Sequence, residues 1–186
     1  MRVSKALWAG FILVCGMRLV GVHVRAVIAK SRPNISLSDD VSKWKSFTNR
    51  AGWSIKYPSD WSIGSCNNCN DPTDPSVFVN LFPPSGHELI TIDHLTDKPP
   101  DRSIDDWLVQ LSKQTVANPR LNEEWGFLDG VRSLKVKNRS PGTGISENLY
   151  FVKGSKSFAI RASNTMDASF YSLYQQALST FRFTDH

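Results

Sequence analysis

The chain reads as an α+β domain in which a central antiparallel β-sheet is flanked by helices. Three observations carry that expectation. Two amphipathic helical patterns stand apart in the sequence with a run of strand patterns between them. The strand patterns are joined by connections too short for the crossover that parallel neighbours require. A strand with apolar residues at both parities needs cover on both sides, which helices supply. The expected organisation is a targeting segment at residues 1–30, a polar linker at 31–42 and the folded domain at 43–186.

The leader comes first. Arg2 and Lys5 precede an apolar run over residues 6–17, and Val27-Ile28-Ala29 follows as a small-residue pattern before Lys30-Ser31. That order of charged, apolar and small-residue regions is the layout of a secretory signal peptide. An uncleaved anchor over residues 6–29 is the alternative, but it places Arg18 near mid-membrane at a cost of about 2.5–3.5 kcal/mol. An organellar transit peptide is the third reading, suited by the absence of any acidic residue before Asp39. The expected location is extracytoplasmic, with membrane attachment only through the leader if it is retained.

The domain opens with strand patterns at 44–48 and 52–57. In the second, Trp53, Ile55 and Tyr57 alternate with Ser54 and Lys56, the period of a strand with one buried face, and Pro58 ends it. Residues 75–82 place Val77, Val79 and Leu81 on one face and Phe78 and Phe82 on the other, so cover is expected on both. Pro83-Pro84-Ser85-Gly86 turns the chain back into 89–92. Ile104, Trp107, Leu108 and Leu111 then recur at helical spacing over 103–116, with Ser103 as cap and Asp105 and Asp106 in the first turn. Strands follow at 124–128, 131–137, 147–152 and 157–162. The first two are joined by Asp129-Gly130, a favoured two-residue hairpin turn. A second helix spans 166–178 with Thr165 as its cap, and 180–183 closes the chain as an edge strand.

Charge excludes one class of function. The 186-residue chain has a formal net charge of +5, but residues 1–30 hold five basic and no acidic side chains, leaving 17 of each sign beyond them. The excess belongs to the leader, so no basic nucleic-acid-binding surface is expected. About 150 residues with an overall hydrophobic fraction of 40% suffice for one core without disulfide staples.

Cys66 and Cys69 form a Cys-x-x-Cys pair in turn composition, with no second ligand group at zinc spacing and no helix start beside it. In an exported protein a small-loop disulfide is expected; free loop thiols and a redox or metal role are the alternatives. His87, Glu88, Asp93, His94 and Asp97 are the densest set of metal-ligand residue types, but 87 and 94 have opposite parity along a strand and do not converge. No metal site is assigned. No Gly-x-Ser-x-Gly elbow is present, and Gly142-Thr143-Gly144 is a hairpin segment lacking a phosphate loop's third glycine. The adjacent carboxylates Asp105-Asp106 and Glu123-Glu124 point apart on a helix or strand, so no catalytic pair is assigned and no cofactor is expected. Trp53, Tyr57 and Trp61 present two readings: an aromatic binding surface, or core residues sharing an inward parity.

Those aromatics also carry a resemblance. Gly52-Trp53-Ser54-Ile55-Lys56-Tyr57-Pro58-Ser59-Asp60-Trp61 resembles the opening "G-(aromatic)-S-I-x-Y-P-x-x-W" of PsbP-like domains. The ending from Tyr174 to Phe183 resembles their closing helix and "S-(T/S)-F-(K/R)-(F/L)" strand, and Trp107 and Asp129-Gly130 fall between them in the same order. The resemblance spans residues 44–183 and implies the Mog/PsbP superfamily fold. It implies a noncatalytic binding or assembly module of the bacterial exported type, contacting a protein or membrane-complex partner, with no active-site residues to carry over. An extrinsic photosystem-associated role is less favoured, because the leader lacks a clear bipartite form. The competing class is a small-ligand binder or enzyme whose site is assembled from residues far apart in sequence. Asn34-Ile35-Ser36 and Asn138-Arg139-Ser140 are glycosylation sequons for a eukaryotic secretory route alone.

Mass spectrometry of the exported protein, alkylated before reduction, is expected to show Cys66 and Cys69 protected as a disulfide. Two alkylated thiols would reject that pairing.

Overall fold

The computed structural model describes residues 40–65, 71–74, 78–115, 119–140 and 144–184. The leader, most of the linker, Cys66 and Cys69 lie outside the described residues. After a 3₁₀ turn at Val41–Lys43 come β1 (Lys45–Asn49), β2 (Trp53–Tyr57), β3 (Ser62–Gly64), β4 (Val79–Phe82) and β5 (Ile90–His94). Helix α1 (Ile104–Thr115) precedes β6 (Arg120–Leu128), β7 (Val131–Ser140), β8 (Gly144–Lys153) and β9 (Lys156–Ala162). Helix α2 (Ala168–Ser179) and β10 (Arg182–Phe183) complete the described chain.

Short turns dictate the topology. Asp129 and Gly130 both have positive φ, 47° and 75°, the backbone of a two-residue hairpin turn whose twist matches its strands. The resulting sheet runs β3-β4-β5-β9-β8-β7-β6, antiparallel throughout. Its strands alternate between two cores. Leu149, Phe151, Phe158 and Ile160 face one side, and Leu134, Val136, Tyr150 and Val152 face the other.

Helix α1 covers the second side, burying Trp107, Leu108 and Leu111. Ser103 Oγ accepts from the Asp106 amide (3.1 Å) and donates to the Asp106 carboxylate (2.7 Å), which starts the helix as expected. Trp107 Nε1 donates to Ser157 Oγ at 2.8 Å, so the buried indole keeps its hydrogen bond and ties α1 to β9. The first side is covered by α2 and by a second sheet.

The larger sheet with its two helices is the expected α+β arrangement, and the second sheet is an addition to it. Strands β1, β2 and β10 pair in the order β1-β2-β10, apart from the seven-stranded sheet. The reason is apolar surface: β2 turns Trp53, Ile55 and Tyr57 into the same core as Phe151 and Phe158, where they form a lid rather than another strand. Trp53 stacks on Phe181 (5.8 Å between centroids) and Trp61 on Phe170 (6.0 Å). Asp129 Oδ2 accepts from the Phe183 amide at 2.8 Å, pinning β10 to the β6–β7 turn.

Three expectations change. Asp167 caps α2, accepting from the amides of Ser169 and Phe170 at 3.0 and 2.9 Å, while Thr165 instead bonds Ile145 O through its hydroxyl (3.1 Å). Phe82, for which cover was expected, is 37% exposed, because α1 lies over β7 and β8 and does not reach β4. Asn138 is buried, its side chain accepting from Asn148 Nδ2 at 2.6 Å, so it is not an exposed glycan acceptor.

Leu108 is fully buried between α1 and the sheet. Leu108→Ala is expected to cost about 2–5 kcal/mol in urea unfolding with an unchanged m-value, the cost of a cavity at a packed helix–sheet contact.

Candidate functional site

The residues considered first do not gather into a site. Trp53, Tyr57 and Trp61 are buried in the core. The aromatic binding surface is thereby corrected: the inward parity of Trp53 and Tyr57 places them against Phe181 and α2, out of reach of a partner. Cys66 and Cys69 lie outside the described residues. In the adjoining loop, Asp71 pairs with Arg50 at 2.5 Å and Pro72 O accepts from Asn49 Nδ2 at 3.0 Å, fixing residues 71–74 to the β1–β2 turn. Asp93 pairs with Arg161 (3.2 Å) and His94 with Asp97 (3.3 Å), each on its own face of β5. Burial raises the Asp93 carboxyl above its ordinary pKa, against the lowering pull of Arg161 and His94. Among the described residues no three His, Cys, Asp or Glu side chains converge as metal ligands.

The structure instead assembles a groove at the free edge of the larger sheet. Strand β6 pairs with β7 on one side and with no strand on the other among the described residues. Its alternation splits two sets of side chains. Trp125 and Phe127 point to the α1 side, while Glu124, Gly126 and Leu128 point to the α2 side. Because residue 126 is glycine, the α2 side of the strand is open there, leaving a groove of about 350 Å³ between β6 and α2. Leu128, Leu149 and Leu178 supply its apolar surface, and Lys135, Gln175 and Ser179 its polar surface. Glu124 and Lys135, neighbours across the β6–β7 ladder, pair on its sheet side at 3.5 Å.

On the other side of β6, Trp125 and Phe127 are 37% and 71% exposed. The Arg132 guanidinium lies over both rings, at 4.7 and 5.9 Å, and forms a two-pronged contact with Asp105 at 3.2 Å. The edge therefore presents aromatic surface to solvent, braced by a cation whose charge is neutralised from α1.

Behind the groove lies a buried polar cluster that periodicity alone does not show. Glu147 is fully buried beneath α2. It pairs with Lys137 Nζ at 3.4 Å and accepts from Tyr171 Oη (3.2 Å) and Gln175 Nε2 (3.4 Å). Lys137 also donates to Tyr171 Oη at 3.3 Å. Burial lowers the Lys137 pKa, but the Tyr171 hydroxyl and the Glu147 carboxylate outweigh it and hold the ammonium above its ordinary value. Gln175 belongs both to this cluster and to the groove wall. The signal in the sequence is an acid at the same parity as Leu149 and Phe151, but its partners come from β7 and α2 and are remote in sequence. Tyr174 Oη is buried near this carboxylate without a hydrogen bond. Burial, then the Glu147 charge, pushes its phenol well above the ordinary value.

A smaller hollow of about 240 Å³ lies at the Gly52 turn beside Arg50, Lys153 and Lys156. Lys153 sits over the Phe183 ring at 5.1 Å, and Arg50 is taken by Asp71.

No family model matches the chain, and no curated protein sequence matches it. Its fold is similar to the solution structure of cyanobacterial PsbP (CyanoP) from Synechocystis sp. PCC 6803. The TM-score is 0.52 at 14% identity, over 75% of this chain and 91% of that one. A crystal structure from Bacteroides thetaiotaomicron aligns with a TM-score of 0.48 at 14% identity, over 77% of this chain and 49% of that one, so this chain spans about half its length. The likeness to CyanoP establishes a PsbP-like fold, in agreement with the motifs at residues 52–61 and 174–183. At this identity the likeness concerns fold alone.

The cluster yields a graded expectation. Lys137→Ala leaves Glu147 buried without its cation and should cost about 2–3 kcal/mol, less than for a wholly buried pair because Lys137 is a third exposed. Glu147→Gln keeps amide and hydroxyl partners and should cost about 1 kcal/mol. Both raised pKa values act in one direction: the folded state holds the Lys137 and Tyr174 protons more tightly than the unfolded chain. Neither group therefore weakens the fold by titrating below about pH 10, and stability falls as pH rises further. Tyr174→Phe should be neutral or stabilising at pH 7 and should flatten that alkaline decline in urea midpoints measured from pH 8 to 11.

Proposed function

We propose that this chain is a noncatalytic, extracytoplasmic binding module that engages a protein partner at the β6 edge and the groove beside it. The observation that carries the reading is the opening at Gly126, flanked by exposed Trp125 and Phe127, on a strand with one neighbour among the described residues. Exposed aromatics beside a concave apolar floor are what protein contacts use. The noncatalytic part is supported by the pairing of the charged groups around the groove. Glu124 is engaged with Lys135, Asp105 with Arg132, and Glu147 with Lys137, Tyr171 and Gln175. None is aimed at the groove with a second ionisable group positioned for proton transfer. The extracytoplasmic part rests on the charged, apolar and small-residue order of residues 1–30. Among the described residues no helix is long and apolar enough to cross a membrane.

A small-ligand binder is the second reading. A groove of about 350 Å³ falls in the size range of small-molecule sites, and Gln175, Ser133 and Ser179 offer polar anchors.

One substitution separates them. A Cβ at Gly126 would meet its nearest neighbour, Ser133 Oγ, at 3.9 Å, so Gly126→Leu can fill the groove without backbone strain. In affinity capture of the native exported protein, wild type is expected to retain a reproducible protein partner, and Gly126→Leu to lose it by about tenfold or more. Empty capture with a tightly held small molecule, detected by native mass spectrometry, would favour the second reading. Capture indifferent to Gly126→Leu would remove the groove from the contact.

A further inference from the structure

We infer that β6 is a strand-addition edge whose occupant is an extended segment of a partner protein, apolar over part of its length and carrying Lys or Arg beside that part. This inference rests on the proposed protein contact and specifies its mode.

Backbone geometry comes first. The Asp129-Gly130 turn places Leu128 opposite Val131, the residues that flank a two-residue hairpin loop. In such a hairpin the flanking pair exchanges both hydrogen bonds, and hydrogen-bonded pairs then alternate with non-bonded ones along the ladder. Leu128, Gly126 and Glu124 therefore direct their amides and carbonyls to β7. Phe127, Trp125 and Glu123 direct theirs outward, away from the sheet. The register is unbroken from Asn122 to Leu128 and shifts only between Arg120 and Asn122, so a straight edge of three outward donor–acceptor residues is available before the bulge. An exposed edge of this kind is a template for another strand.

Side-chain chemistry selects the occupant. An added strand would stand beside Phe127 and Trp125 on the α1 side, and its alternate residue would enter the groove next to Gly126. All three positions favour apolar side chains. At the other end the edge turns acidic. In the Glu124–Lys135 pair the carboxylate side chain is 61% exposed and the ammonium side chain 24%; in the Glu123–Arg120 pair the figures are 40% and 23%. In each pair the negative partner is the outer one. Consecutive residues thus offer carboxylates on both sides of the same strand, and a basic residue on the incoming segment meets one whichever way it points. Arg132, the cation nearest the aromatic pair, is neutralised by Asp105 and does not repel such a segment. A second copy of this chain fits less well: antiparallel β6 pairing that sets Trp125 opposite Phe127 of the copy places Glu124 opposite Leu128 and Glu123 opposite Asp129, so neither carboxylate meets a cation.

The test uses the purified protein and a phage-displayed library of random linear dodecapeptides, followed by binding measurements on synthesised hits. Enriched peptides are expected to carry an apolar run next to at least two basic residues. A hit should slow amide exchange at Glu123, Trp125 and Phe127 by about tenfold or more when saturating. Trp125→Pro removes an outward N–H and leaves the β7 ladder intact, so it should bind at least about tenfold more weakly than Trp125→Ala, which lacks only the side chain. Glu124→Arg, a change at an exposed position, should weaken the same peptides by about tenfold and provides a folded variant if Trp125→Pro does not fold. The inference is overturned if no peptide is enriched, if hits lack the basic pattern, or if binding ignores both Trp125→Pro and Glu124→Arg. Concentration-dependent self-association abolished by Trp125→Pro would overturn it in favour of a second copy. If it fails while partner capture still depends on Gly126, the protein contact stands and only its strand-addition mode is lost.

Discussion

Burial of the central strands on both faces is the constraint from which the rest of the structure follows. In β8 every residue from Glu147 to Val152 is buried, and Phe158, Ala159 and Ile160 of β9 continue the same two-sided burial. One covering layer cannot satisfy such strands. Helix α1 takes one side, and α2 with the β1-β2-β10 sheet takes the other. A helix is about 10 Å across and strands lie about 4.8 Å apart, so α1 shields roughly two of seven strands on its side. Among the described residues no element covers the edges there, which explains both the exposure of Phe82 at one margin and that of Trp125 and Phe127 at the other.

The groove is a consequence of the same packing with one residue withheld. On the α2 side Leu128 and Leu149 continue the apolar surface toward β6, but Gly126 contributes no side chain, and α2 bridges the gap instead of filling it. The height of that bridge depends on Glu147. A fully buried carboxylate is costly unless it is paired and hydrogen-bonded, and its partners Tyr171 and Gln175 are both on α2. The polar cluster therefore sets the helix against β7 and β8 in one rotational position. Gln175 joins that positioning role to the groove wall.

Much of the architecture was legible before folding was considered. Helical spacing of Trp107, Leu108 and Leu111 located α1, and the Asp129-Gly130 dipeptide located the hairpin whose positive-φ turn the structure contains. The separate small sheet was not legible, because a β1–β2 hairpin reads the same whether it extends the main sheet or packs across it. The cap of α2 was displaced by two residues because Thr165 and Asp167 are both capping types, and Ile145 O takes the first. For the site, the strand around Trp125 could be read, but not that it would be an edge. Glu147 could be seen as an acid on an inward parity, but not that Lys137, Tyr171 and Gln175 would meet it.

The sequence by itself determined the local elements, their antiparallel connections and the concentration of the net charge in residues 1–30, because these depend on periodicity, turn chemistry and composition within short windows. Only the tertiary structure decided that Trp53, Tyr57 and Trp61 are core, that Trp125 and Phe127 are surface, and that an opening lies at Gly126. Those outcomes depend on which strands end at the margin of the sheet and how far each covering layer reaches, and residues more than a hundred positions apart take part in settling them.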